Sequence, residues 1–86
     1  MRYLKEQKVK FIDIKSKVIK ENNISLEDYP YEYLSCVLGN KYIGTILWDS
    51  HCQQYVFMPT VDRFTSSMLL DIYDKTLSLM NKRVLS

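Results

Sequence analysis

No alanine occurs anywhere in these 86 residues, and glycine, proline and cysteine occur only twice each. The missing alanine goes with frequent Lys, Ile, Tyr and Asn, a bias of AT-rich coding that says little about fold. Two glycines, Gly39 and Gly44, are too few for a Gly-rich loop that would cradle a phosphate. Two cysteines, Cys36 and Cys52, make no disulfide framework, and both are expected as free thiols in a reducing cytosol. With a single histidine, His51, the chain falls short of the paired ligands that zinc requires. No run is long and apolar enough to span a membrane, and MRYLKEQKVK lacks the apolar core of a signal peptide. A cytoplasmic protein with no membrane partner is therefore expected.

What is present is the composition of a folded domain. Hydrophobic residues make up 47% and charged residues 26%, outside the low-hydrophobicity regime of disorder. Residues 1–86 are read as one domain, near the lower size limit for a self-sufficient core. The net charge of +2 is unevenly spread: residues 1–22 hold seven of the twelve basic residues and three of the ten acidic ones. Lys8, Lys10, Lys15 and Lys17 belong to this basic segment, which admits an anionic partner or simply a solvated face.

Leu4, Phe11 and Val18 recur every seven residues with Ile14 nearby, and this predicts a helix over residues 3–22. VKFIDI at 9–14 is rich in β-formers, so one or two strands are the alternative. Asn22-Asn23 marks a stop, and residues 22–30 read as a connector. Three strands follow as an antiparallel meander: Tyr31–Leu38, Lys41–Trp48 and Gln54–Met58. Gly39-Asn40 is a two-residue hairpin signal, residues 49–53 form a polar loop, and Pro59 ends the third strand. A C-terminal helix is predicted over 65–81. Thr65 is its N-cap, Phe64 and Leu69 form a staple, and Leu69, Ile72, Tyr73, Thr76, Leu77 and Met80 make the face packed on the sheet. The predicted fold class is α+β.

The meander is apolar on both faces. A two-residue turn pairs Leu38 with Lys41, Val37 with Tyr42 and Cys36 with Ile43. One face then carries Tyr31, Tyr33, Val37, Tyr42, Ile46, Trp48, Val56 and Met58. The other carries Leu34, Cys36, Leu38, Ile43, Leu47, Tyr55 and Phe57, and suits the C-terminal helix. Three covers compete for the aromatic face: the N-terminal segment, a protein surface (a second copy or a partner), and the bases of a nucleic acid.

Catalytic constellations are absent from the pattern. His51-Cys52 with Asp49 suggests a metal site or a Cys–His nucleophile, but Cys36 falls on a different strand and the ligands are too few. Asp71 and Asp74, three apart on a helix, read as its solvent face. No enzyme and no cofactor are expected.

Helix, three strands, helix is the element order of double-stranded RNA-binding domains, which the chain resembles in order only. The basic cluster those domains carry at the start of the last helix is replaced here by TSSMLLD. A closer likeness lies in Gly44, Ile46, Trp48, then Gln54, Tyr55, Phe57, Pro59, then Leu69 and Ile72. This spacing resembles a group of short, functionally uncharacterised proteins common in phages and other mobile elements. It covers about half the chain, and His51-Cys52-Gln53 stands where that group has aromatic and basic residues. The resemblance implies a phage or mobile-element protein that binds a host protein, plausibly one of antiviral defence. Tyr31, Tyr33, Tyr42 and Trp48 are the expected contact residues, with Lys8, Lys10, Lys15 and Lys17 in electrostatic support. A nucleic-acid-binding module using the same lysines and aromatics is the alternative, and a homodimer is compatible with either.

Overall fold

A computed structural model describes residues 8–85, with side chains placed through Lys82. The strands are β1 (Lys10–Asp13), β2 (Tyr33–Leu38), β3 (Lys41–Asp49) and β4 (Gln54–Pro59), and the helices are α1 (Lys15–Glu21) and α2 (Ser66–Leu85). The fold is α+β: one antiparallel sheet in the order β1-β2-β3-β4, with α2 packed on one face.

The sheet has four strands where the sequence predicts three, and the helix expected over residues 3–22 is replaced by β1 and the seven-residue α1. Residues 3–7 of that expected helix lie outside the described residues. The β alternative prevails because residues 9–12 alternate with period two. Val9 is buried and Phe11 half-buried toward α2, while Lys10 and Ile12 face out. Extending the helix would have left Val9 outside the core. Asp13 then turns the chain, its Oδ1 accepting the Lys15 N–H at 2.9 Å. α1 ends at the Asn pair. Asn23 takes the left-handed φ of 55°, Ile24 N–H donates to Ile19 O at 2.9 Å, and Asn23 N–H donates to Lys20 O at 3.4 Å.

The Gly39-Asn40 hairpin forms as predicted, with Gly39 at φ 64° and Leu38 opposite Lys41. Two residues later the register departs. A bulge inserts Ile43, so Cys36 pairs with Gly44 rather than with Ile43. Every residue from Gly44 to Trp48 thereby changes face relative to the predicted pairing. Ile46 and Trp48 join Leu34 and Cys36 in the core, and Leu47 moves to the outer face. The next loop is also one residue shorter than predicted, since Asp49 pairs with Gln54. The two shifts cancel, and β4 ends with Tyr55 and Phe57 inward and Val56 and Met58 outward, as the sequence implied.

Gly44 permits the bulge. A Cβ there would meet the Phe57 ring at 2.5 Å and the Met58 carbonyl oxygen at 2.6 Å. Phe57 lies over the glycine and meets Phe64 edge-on, with ring centroids 5.6 Å apart. Phe64 is thus held by Phe57, and the predicted staple partner Leu69 is left exposed. Thr65 does cap α2, its Oγ1 accepting the Met68 N–H at 3.2 Å. The helix presents Met68, Ile72 and Leu79 to the sheet, with Met80 partly buried. Of the predicted packing face only Ile72 and Met80 contribute; Leu69, Tyr73 and Leu77 point away.

Candidate interaction surface

The eight residues the sequence nominates for contact fall into separate places. Trp48 is 7% exposed and fills the core: Tyr31 stacks on it at 4.5 Å between centroids, nearly parallel, and Tyr55 meets it edge-on at 5.3 Å. The bulge explains this burial, because it turns Trp48 from the outer face to the face under α2. Tyr31 is half-buried beside it. The same cluster fastens the connector before β2. Tyr29 Oη accepts the Trp48 N–H at 3.2 Å, and Tyr55 Oη accepts the Glu32 N–H at 2.9 Å. Burial is the main cause that raises the Tyr29 phenol above its ordinary pKa. These aromatics hold the connector against the sheet end.

Tyr33 and Tyr42 do lie on the outer face. By register they share it with Lys10, Ile12, Ser35, Val37, Thr45, Leu47, Val56 and Met58. Ile12, Tyr42 and Met58 are 47–56% exposed, although each sits on a strand of the sheet. Tyr42 lies along its own strand, its hydroxyl hydrogen-bonded to that of Thr45, which is buried beneath it. The bond satisfies the Thr45 hydroxyl, the one buried polar side chain other than the core aromatics among the described residues. The outer face is thus mostly apolar, with Ser35 and Thr45 between Ile12 and Met58 and Lys10 on the edge strand β1. Ile12 and Met58 were not among the residues nominated from sequence; the period-two pattern of residues 9–13 was the signal that places Ile12 here.

The lysines separate in the same way. Lys8 lies on the other side, in a cleft of about 280 Å³ with Asp71, Asp74 and Lys75 of α2. There the Val9 N–H donates to Asp71 Oδ2 at 3.1 Å, and Lys75 Nζ stands 5.6 Å from the centroid of the Phe11 ring. Asp71 therefore anchors β1 to α2 and has a structural use. Lys10 edges the outer face, while Lys15, half-buried, and Lys17, exposed, belong to α1.

The His51-Cys52 loop is a self-contained turn. Asp49 Oδ1 accepts the N–H groups of His51 at 2.8 Å and Cys52 at 3.4 Å, and the His51 bond is the chief cause that lowers the Asp49 carboxyl pKa. The Cys52 thiol is pushed up, first by its hydrogen bond to Asp49, which is the reverse of what activates a nucleophile. Cys36, fully buried, is raised to about 11 by desolvation. Among the described residues no group of three His, Cys, Asp or Glu side chains gathers that could hold a metal ion. No helix among them is long and apolar enough to cross a membrane. No protein-family model, curated protein or solved structure matches this chain.

Proposed function

We propose that this chain is a small non-enzymatic interaction protein that binds another protein through the outer face of its sheet. The observation that carries the reading is the set of large apolar side chains Ile12, Tyr42 and Met58, each about half exposed on strands whose other side forms the core, with half-buried Tyr33 on the same face. A tyrosine and a methionine on rigid strands give large contact area at low entropic cost, the composition favoured in protein interfaces. Lys10 supplies positive charge at its edge and steers an acidic partner. The resemblance to phage and mobile-element proteins supports a host protein as the partner, one of antiviral defence included. The experiment is a binding measurement on Tyr42→Ala/Met58→Ser, with thermal unfolding of the variant alongside because Tyr42→Ala also removes the hydroxyl bonded to buried Thr45. Binding that survives 0.5 M salt in the wild type and falls at least ~30-fold in the variant, about 2 kcal/mol, supports the reading. Unchanged binding by the variant contradicts it.

A second reading has one observation behind it: Lys10 shares the outer face with Tyr33 and Tyr42, the cation-and-aromatic combination on which single-stranded nucleic acids stack. Its signature is an affinity that falls steeply with salt as phosphate contacts release counterions. A mobility-shift assay at low salt with no retarded species removes it.

A further inference from the structure

We infer that α2 pairs with the α2 of a second copy, so that the protein is a homodimer joined through the side of the helix facing away from its own sheet. Leu69, Leu70, Tyr73 and Leu77 are 45–59% exposed on this helix, while Met68, Ile72 and Leu79 are buried against the sheet. At about 100° per residue the two sets lie on opposite sides, their mean directions roughly 140° apart. Asp71, Asp74, Lys75, Ser78, Asn81 and Lys82 fill a third side of the helix, an arc of roughly 120°. A helix this apolar on its outward side is short of one covering layer.

Three features select an identical copy as that layer. Leu70, Tyr73 and Leu77 step by three and four residues, and half-buried Met80 continues the step at the margin of the seam. That is the a/d spacing by which two like helices interlock. The flank of Leu69 and Thr76 carries no charge and the other flank holds Asp74, so parallel helices, which set Asp74 against Leu69 of the other copy, meet without like-charge repulsion. The area also suffices for a modest dimer. Four large, half-exposed side chains with Thr76 and Met80 bring a pair of helices to on the order of 1,000 Å², the lower bound of specific interfaces. A two-fold pairing needs only one self-complementary patch per molecule. The resulting layers run sheet, helix, helix, sheet, with both outer sheet faces directed away from the joint. The dimer would thus present two copies of the proposed binding face; only this last consequence rests on that reading.

The test is solution mass by sedimentation equilibrium between about 5 and 300 µM. The wild type is expected to approach twice the 10.3 kDa of the chain within that range. Leu70→Lys/Leu77→Lys is expected to remain monomeric with unchanged helical circular dichroism. Tyr73→Ala, which trims the seam without adding charge, is expected to raise the dissociation constant at least ~10-fold and covers the case in which the double variant fails to fold. Ile12→Lys/Met58→Lys, on the far side of the sheet, should leave the dimer intact. A wild type that is monomeric throughout overturns the dimer, as does a dimer indifferent to Tyr73→Ala or abolished by Ile12→Lys/Met58→Lys. A chain that stays monomeric until a partner protein is added, and loses that complex through Tyr73→Ala, assigns the seam to the partner and also overturns it. Partner binding by a monomer through Tyr42 and Met58 would sink the dimer while leaving the proposed function standing.

Discussion

Gly44 decides more of this structure than any other residue. The bulge it permits turns Trp48 inward, and the Phe57 ring occupies the space where a side chain would be. Gly44→Ala is expected to cost about 2–3 kcal/mol, because the added Cβ meets both a packed ring and a backbone carbonyl that cannot move independently. Thermal unfolding would show this as a lowered midpoint. Gly39 was legible in the sequence because a two-residue hairpin demands a glycine there. Gly44 was not, since its neighbour Phe57 comes from another strand. Cys36 gives a second residue-level prediction. Its buried thiol stays protonated in the folded chain up to about pH 11, while the unfolded thiol ionises near 9. The unfolded state therefore holds fewer protons between those values, and the contribution of Cys36 to stability, complete below pH 9, declines as pH rises toward 11 by roughly 2 kcal/mol. Chemical denaturation from pH 8 to 10.5 should show a loss that is smaller in Cys36→Val. In native protein at pH 8 a thiol reagent should label Cys52 alone.

At the scale of elements, the two helices were read unequally well, for one reason. Helical periodicity shows that a face exists but does not say which face finds a partner. The start of α2 was legible because a cap is local chemistry: Thr65 accepts the Met68 N–H, and Thr65→Ala should cost about 1 kcal/mol in a denaturant titration. The buried side of α2 was misassigned because the helix carries two apolar seams, and the sheet takes Met68, Ile72 and Leu79 while Leu69, Tyr73 and Leu77 stay outside. Over the N-terminal segment a heptad coincidence of Leu4, Phe11 and Val18 competed with the period-two pattern of residues 9–12. Tertiary contact settled the contest, since Val9 and Phe11 as strand residues reach α2 and the Val9 N–H bonds Asp71. Asp71→Asn keeps a side-chain acceptor at this bond and should cost less than Asp71→Ala, which strands the N–H. Comparing their unfolding midpoints checks that Asp71 is an anchor.

For the whole molecule, the sequence predicts a sheet apolar on two sides that needs two covers. α2 is the first, with the cluster of Trp48, Tyr31 and Tyr55 beneath it or at its margin. On the other face Ile12, Tyr42 and Met58 stay exposed, as do Leu69, Leu70, Tyr73 and Leu77 on α2. The bulge moved the tryptophan out of the expected contact set and left the tyrosines of the outer face in it. This exchange could not be read from the sequence, because two one-residue shifts cancel and leave β4 as the alternation of apolar residues predicts. The central claim is that the outer sheet face is the working surface. The most direct measurement is site-specific photo-crosslinking, with a photoreactive residue placed at position 58 or, as control, at the exposed position 27, in cells where the protein acts. One discrete adduct with another protein should form from position 58, vanish when Tyr42→Ala is added, and be absent from position 27. Equal adducts from both positions, or an adduct from 58 that survives Tyr42→Ala unchanged, would contradict the account.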